Sequence, residues 1–372
     1  MLDILYILSH RPDNRYGKRF EALSAFHQRV LFWNKRAAED TNNPEEWEEI
    51  NIPADQTNPL KRLPETIKFI YKARKRAIEL NPRLLYVGNL DMLYVAISVK
   101  RRFPNTKIIY EVADLHRLIA DEQHGIKKIV RHFLIETEKR FCNRIDKLVL
   151  TSPKFYDFYY STFVEKSKVV YMPNLPTESA FNKYFPVARR SGSFTIGFFG
   201  WVRYLNQLNM LLDASERLGF NVLIAGSDNS GNEFRERCNS MPNVEYYGSF
   251  DYKKDIAALY QRVDCIYSVY DADLNNVRVA LPNKLYEAIL AQKPILVAQG
   301  TYLSELVTQY GIGLAVKHDD IGSLVRAIEL LSCNVEVYTE CVDNCAKIVD
   351  IVNQDKYDRI LFDSVNEELG AK

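Results

Sequence analysis

The chain is 372 residues long, with 47% hydrophobic and 26% charged residues and a formal net charge of +1. At about 150 residues per domain it is too long for one ordinary domain and comfortable for two, and its balance of residue types excludes disordered and fibrous classes. The near-neutral total hides an asymmetry: residues 1–180 hold 30 Lys and Arg against 23 Asp and Glu, residues 181–372 hold 19 against 25, so the halves carry about +7 and −6 and are expected to meet different partners.

The chain opens on Leu2-Asp3-Ile4-Leu5-Tyr6-Ile7-Leu8, an apolar run with neither a basic leader nor a small-residue cleavage site, which reads as a buried first strand. Candidate strands follow at Val30–Trp33, Leu84–Val87, Lys107–Tyr110, Lys147–Leu150 and Lys168–Tyr171, with helical periodicity over Pro64–Leu80, Leu93–Arg102 and Ile126–Cys142. The most apolar window, Leu84 to Val99, is broken by Gly88, Asn89 and Asp91 and falls short of the roughly 20 clean apolar residues of a membrane span. Prolines and small residues from Met172-Pro173-Asn174-Leu175-Pro176 through Ser191-Gly192-Ser193 break the pattern and mark a linker. A second series restarts with strands at Thr195–Phe199, Asn221–Ala225, Val244–Tyr247, Cys265–Ser268 and Pro294–Val297, and Val342–Leu369 closes the chain as a helix or helix pair.

Apolar runs alternating with helices are the signature of parallel α/β sheets, so the expected architecture is two doubly wound domains, 1–175 and 176–350, with a terminal helix at 351–372 packing back on the first. Ligands of such sheets bind beyond the carboxyl ends of the strands. The six cysteines are scattered, and Cys341 and Cys345, one helical turn apart, have no His pair nearby; they read as free thiols of a cytoplasmic protein.

The strongest chemical signal is Leu281-Pro282-Asn283-Lys284-Leu285-Tyr286-Glu287-Ala288-Ile289-Leu290-Ala291-Gln292-Lys293-Pro294-Ile295-Leu296-Val297. Proline is preorganised for a helix start, so Lys284 and Glu287 fall three apart on the first turns, on one face. The N–H groups and positive dipole end of that helix attract a diphosphate; Lys284 is placed to neutralise a phosphate and Glu287 to accept hydrogen bonds from ribose hydroxyls. An isolated Lys–Glu pair is ordinarily a surface pair, and it is the long motif around this one that favours function.

On these residues the chain resembles the glycosyltransferases of family 4 (group 1), in which a Pro-Asn-Lys-Leu-like helix start, a following Glu and a Pro-Ile/Val strand hold the donor. The resemblance continues through Phe194–Gly200, Val222–Gly226, Asn243–Gly248 and Lys168–Asn174; no segment is specific alone, but their order is. It implies the GT-B fold, two Rossmann-like domains facing a cleft, with the donor held by Gly200, Asn283, Lys284, Leu285 and Glu287. A residue without Cβ at position 200 lets backbone amides approach phosphates, although a glycine after a strand also serves as a plain turn. Family members carry an Arg just after this glycine and a Lys several residues on; Trp201 and Gln207 stand nearest here, and Arg203, whose planar fork suits phosphate, is the substitute. Val279 stands where the family has a second glutamate, which leaves retention or inversion open. The polar run Tyr270–Arg278 either contacts the donor sugar or is a solvated loop.

In the first half, Tyr110-Glu111-Val112-Ala113-Asp114-Leu115-His116 is similar to the family's Tyr-Asp-x-His-Asp-Leu segment, with Ala113 at the family's His; Asp114 and His116 remain as catalytic candidates at a strand end. The run Ser9–Arg19 corresponds to the family's glycine-containing loop and is unusually basic, so Arg15, Gly17, Lys18 and Arg19 are acceptor-binding candidates that suit an anionic acceptor; the alternative is a solvated charged face. Lys61–Leu80 is a basic amphipathic helix that either rests on an anionic membrane, where lipid-linked acceptors are found, or packs with a cationic outer face.

The expected activity is transfer of a sugar from a nucleotide-sugar, a UDP-sugar, to a saccharide or lipid-linked saccharide in surface polysaccharide biosynthesis, in the cytoplasm or peripherally on the inner face of the cell membrane. Arg203, Lys284 and the glycine-turn amides would stabilise the leaving diphosphate, with no metal and no separate cofactor. The rivals are a sugar-nucleotide epimerase of the same fold and a catalytically inactive nucleotide-sugar-binding member. A nicotinamide dehydrogenase lacks its three-glycine fingerprint here, and no nucleic-acid recognition motif accompanies the basic residues.

Overall fold

The computed structural model describes residues 2–36, 43–55, 58, 61–176, 180–181, 192–227 and 232–370. The chain forms two compact units, Met1–Asn174 together with Asp355–Lys372, and Leu175–Gln354. The middle of the linker segment, 177–179 and 182–191, lies outside the described residues.

The first unit begins with β1 (Ile4–Leu8), α1 (Asn14–Ala22), β2 (Gln28–Asn34), β3 (Trp47–Asn51) and α2 (Leu63–Leu80). It continues through β4 (Leu84–Gly88), α3 (Leu90–Lys100), β5 (Lys107–Val112), α4 (Arg117–Ala120) and α5 (Ile126–Cys142), and ends its first pass with β6 (Lys147–Leu150), α6 (Pro153–Phe158) and β7 (Val169–Tyr171). The strands form one sheet in the order β3-β2-β1-β4-β5-β6-β7, and neighbouring strands run parallel throughout. Tyr6 of β1 lies opposite Val30 on one side and Tyr86 on the other. Because β1 and β4 are buried at every position, both faces need a helical cover. The sequence shows this as unbroken apolar runs.

The second unit contains β8 (Thr195–Phe199), α7 (Leu205–Leu218), β9 (Asn221–Ala225), α8 (Asn232–Ser240), β10 (Val244–Gly248), α9 (Tyr252–Gln261) and β11 (Cys265–Ser268). Then come α10 (Asn275–Val279), α11 (Asn283–Ala291), β12 (Ile295–Ala298), α12 (Tyr302–Tyr310), β13 (Gly313–Val316), α13 (Ile321–Cys333) and α14 (Val335–Lys347). Its six-stranded sheet has the order β10-β9-β8-β11-β12-β13 and is again parallel. In both sheets the winding reverses beside the first strand, between β1 and β4 and between β8 and β11, the switch points where α/β sheets bind ligands.

Two strands were not foreseen. Glu48 and Glu49 make β3 read as a polar turn, yet as an edge strand it pairs only with β2 and buries only Ile50. The four residues of β13 follow the left-handed Gly311 cap of α12 too closely to show a period of their own.

The closing pattern resolves into α14 in the second unit and α15 (Gln354–Leu369), which belongs to the first. Leu361, Val365 and Leu369 join the core formed by Ile4, Tyr6, Val30, Leu84 and Tyr86, Phe26 and Phe362 rings lie 5.4 Å apart, and Lys107 donates to Glu368 at 2.8 Å. The last helix therefore completes a cover that residues 1–174 leave unfinished. Leu361→Ala is expected to destabilise the first unit by about 2–5 kcal/mol. Urea unfolding followed by Trp33 and Trp47 fluorescence in a Trp201→Phe background checks this; an unshifted transition means that α15 adds nothing to that core.

Candidate active site

The carboxyl end of β8 passes directly into Gly200, whose N–H donates to the Ala225 carbonyl at 2.8 Å at the end of β9. Gly200 has φ +138°, a conformation that side chains disfavour. A Cβ there would lie 2.7 Å from Lys284 Nζ, and a Cβ on Gly226 would lie 1.6 Å from the Gly200 carbonyl oxygen. Two glycines thus let the ends of β8 and β9 touch and leave a seat for an ammonium group.

Lys284 reaches that seat from the first turn of α11, where Pro282 precedes the helix and provides no side-chain cap. Its Nζ also lies 5.6 Å from the centre of the Phe198 ring, and among the described residues no carboxylate pairs with it. A cation, the amides of a helix N-terminus and a glycine turn therefore converge at the β8/β11 switch point. Asn283 is half-buried and Leu285 is fully buried in the core behind it.

One turn further on, Glu287 is buried. Its Oε1 accepts from the Tyr252 hydroxyl at 2.7 Å and its Oε2 from the Tyr260 hydroxyl at 2.8 Å. A carboxylate accepts about four hydrogen bonds, so each oxygen keeps capacity for a further donor. Burial first, then the neighbouring carboxylate, push both tyrosine hydroxyls well above their ordinary range, so they stay protonated donors. The Tyr260 ring packs tilted against Phe199, with centroids 4.9 Å apart, which ties Glu287 to the end of β8. Sequence reasoning missed both tyrosines; their eight-residue spacing on α9 hints at a shared face, but only the tertiary fold aims that face at Glu287.

Arg203 is exposed, with its guanidinium 5.2 Å from the Tyr204 ring. Gln207, at the family's lysine position, is buried; its side-chain amide donates to the His318 backbone carbonyl at 3.1 Å, and its backbone carbonyl accepts from the Tyr267 hydroxyl at 2.7 Å. Its side-chain NH2 group is thereby tied to the His318 segment. The polar run after β11 folds back on His318, whose Nδ1 and Nε2 lie 3.6 Å from Asp271 and 3.6 Å from Asp273. These three side chains stand within metal-ligating reach of one another.

Residues 193–334, which contain this constellation, match the family model of glycosyl transferases group 1. The second unit is thus similar to group 1 glycosyl transferases over these residues. The chain is 25% identical to the succinoglycan biosynthesis protein ExoL of Rhizobium meliloti (strain 1021) over 269 residues, 68% of this chain and 65% of that one, just under two thirds of the relative. Among solved structures it is similar to sucrose-phosphate synthase from Thermosynechococcus elongatus, with a TM-score of 0.74 and 16% identity over 96% of both chains. It is also similar to WaaG, a glycosyltransferase involved in lipopolysaccharide biosynthesis, with a TM-score of 0.72 and 13% identity over 99% of this chain and 100% of that one. The Anabaena protein HepE, solved in complex with UDP, gives 0.70 and 14% over 100% of both chains. At such identities the structural likeness speaks for the fold, the tandem Rossmann-like units of the GT-B architecture.

The first unit carries its own polar cluster at the β1/β4 switch point. The basic segment expected as a loop is helical from Asn14 onward, because the Asp13 side chain caps α1 by accepting from the Arg15 and Tyr16 amides at 3.0 and 3.1 Å. Gly17 is therefore a helical residue and not a loop glycine. Arg19 is fully buried: it donates to Glu111 at 3.4 Å and to the Met172 carbonyl at 3.2 Å. Arg15 lies 3.6 Å from the same Glu111 oxygen, and Tyr86 donates to the other. Arg19 is thus an internal counter-ion and is unavailable to an acceptor; Arg15 is also buried, 9% exposed and paired with Asp13 and Glu111, and Lys18 is half-buried. Burial alone would raise the Asp13 pKa, but His10 and Arg15 hold it at about 2.

Asn89, at the end of β4, has φ +69° and ψ +155°, a strained conformation of the kind that clusters at functional sites. Its amide donates to Ser9 Oγ at 2.7 Å across the switch point. Asp114 is exposed after β5, and His116 caps α4 by accepting from Leu118 N at 3.2 Å on Nδ1, which puts the proton of the neutral ring on Nε2. Partial burial lowers the His116 pKa below its ordinary value of 6.5, and the charge of Asp91 opposes that shift. In an NMR titration His116 is expected to deprotonate below pH 6.5, and Asp91→Asn should lower its midpoint further by removing the attraction to the imidazolium. A midpoint above the ordinary value would contradict this electrostatic picture.

Proposed function

We propose that the chain is a glycosyltransferase that moves a sugar from a UDP-sugar to a saccharide or lipid-linked saccharide acceptor in surface polysaccharide biosynthesis. The observation that carries the reading is the Lys284 ammonium seated against the Gly200 turn at the start of α11, with Glu287 one turn behind it. The diphosphate would lie on the α11 amides and Lys284, the ribose would give its hydroxyl protons to the spare lone pairs of Glu287, and Asn283 and Leu285 would line the donor's path. Arg203 would add a second cation from the loop after β8. The Anabaena relative holds UDP, UDP with glucose, and UDP-glucose in its solved complexes, which supports this donor class. The succinoglycan and lipopolysaccharide relatives support the acceptor class.

In the reaction an acceptor oxygen bonds to the anomeric carbon while the bond from that carbon to the diphosphate breaks. Negative charge develops on the leaving diphosphate, so fixed cations and amides there lower the barrier most. Lys284 and Arg203 supply that charge from the chain itself, and the proposal needs no metal or further cofactor. His116 would position the acceptor oxygen through its Nε2–H, and the exposed Asp114 would take the proton. Arg15, Gly17 and Lys18 of α1 would contact an anionic acceptor.

Removing Glu287 outright would strand two buried tyrosine hydroxyls, so Glu287→Gln is the cleaner probe. It is expected to weaken UDP binding by about 1–3 kcal/mol, measured by calorimetry with the melting temperature as a control for folding; unchanged affinity would end the ribose assignment. Lys284→Met should lower turnover at least ten-fold, a loss of about 1.4 kcal/mol or more of transition-state stabilisation. Product analysis reads the reaction itself: a sugar nucleotide isomerised without acceptor would replace transfer by epimerisation.

A further inference from the structure

At the amino ends of the first sheet, a hollow of about 600 Å³ lies between the approaches to β5, β6 and β7. Helix α3 ends on its rim at Lys100, with Arg101 next; α5 ends just before Arg144, and Lys168 precedes β7. These four cations face one carboxylate, Asp146, among the lining residues. Cations at helix carboxyl ends are ordinarily explained by the free carbonyls and the negative dipole end found there. That account covers the two lysines: Lys100 Nζ donates to the Arg144 carbonyl at 3.1 Å and to Asp146 at 2.7 Å, and Lys168 Nζ donates to the Ile145 carbonyl at 3.1 Å. It does not cover the two arginines.

Arg101 and Arg144 are exposed, and among the described residues neither guanidinium has a hydrogen bond, an ion pair or a ring contact. Asp146 is already engaged by Lys100, by Lys107 at 3.3 Å and by the Ile108 amide at 2.8 Å. The adjoining hollow of about 480 Å³ differs, since its Arg83 pairs with Asp3 at 3.0 Å and its Lys107 with Glu368 at 2.8 Å. A concavity lined by one sign of charge focuses its field and draws in counter-ions. A guanidinium fork takes two oxygens of a phosphoryl group. One phosphoryl group carries about −1.5 to −2, so Arg101, Arg144 and Lys168 together match a diphosphate, and the volume falls within the roughly 300–1,000 Å³ of small-molecule sites. We propose that this hollow binds a diphosphate-bearing small molecule through these three cations. The six residues of β5, at about 3.3 Å each, hold it roughly 20 Å from the carboxyl end of that strand, so its ligand does not react there.

Inorganic pyrophosphate is the probe, titrated calorimetrically into the full chain at physiological ionic strength. Because the Lys284 seat would also take a diphosphate, the titration is made in a Lys284→Met background, where the remaining binding reports the hollow. One equivalent is expected to bind. Arg101→Gln with Arg144→Gln should weaken that binding at least ten-fold, whereas Lys127→Gln with Lys128→Gln, which removes the same charge at the other end of α5, should leave it within about two-fold. All four residues are exposed, and melting temperatures check that the variants fold. No binding in the Lys284→Met background overturns the proposal. Equal losses in the two double variants also overturn it, since pyrophosphate would then be answering the overall charge of the unit and not this hollow.

Discussion

Each sheet is parallel throughout, and that constraint shapes the rest of the molecule. A parallel sheet buries both faces and forces every connection to cross over through a helix, so polar chemistry is driven out of the sheet to the strand ends. In the second unit the reversal between β8 and β11 opens the sheet beside Gly200 and α11; in the first the reversal between β1 and β4 brings Ser9 and Asn89 together. The same winding logic places the reactive candidates of both units at carboxyl ends and leaves the opposite ends to packing and to other ligands. Hollows of about 480 and 600 Å³ in the first unit, lined at the amino ends by residues such as Asn81, Arg83, Lys100 and Arg144, are on the wrong side for that chemistry.

A second regularity is how buried carboxylates are satisfied. Glu287 takes two tyrosine hydroxyls, Glu138 takes three, from Tyr110, Tyr159 and Tyr160, and Glu111 takes Tyr86 together with Arg19. A tyrosine brings a large apolar body and a single donor, so it fills the core and meets the carboxylate without adding a second charge. For Glu138, burial is the dominant influence and holds its pKa above the usual range. In Glu287 the same device fixes the orientation of a carboxylate that lies one turn behind the Lys284 seat. Part of a core thereby serves as scaffold for a site.

The two units divide their charge in a way that follows from these arrangements. The second unit places one cation, Lys284, in a seat that exists because Gly200 has no Cβ. The first unit spends Arg19 internally on Glu111 and displays its remaining surplus on the outer helices. A basic sequence therefore does not map onto one basic site: some of its charges are counter-ions, some meet helix-end carbonyls, and Arg101 and Arg144 do neither among the described residues.

The sequence by itself determined the class of fold, since buried parallel strands leave apolar runs and their covering helices leave a period near 3.6. It also singled out Lys284 and Glu287, because proline and two polar residues on one helical turn are local features, and the group 1 family match of residues 193–334 agrees with that resemblance. It did not disclose that Arg19 is sealed inside, that the buried Gln207 amide donates to His318, or that Ser9–Arg19 is helical from Asn14 onward, although the Asp13 cap is a local feature. Nor could it pair Glu287 with Tyr252 and Tyr260, or bring Arg101, Arg144 and Lys168 to one hollow. These depend on residues far apart in the chain meeting in space: periodicity says which face of an element is apolar, and only tertiary packing says whether that face is covered and what stands opposite a charge.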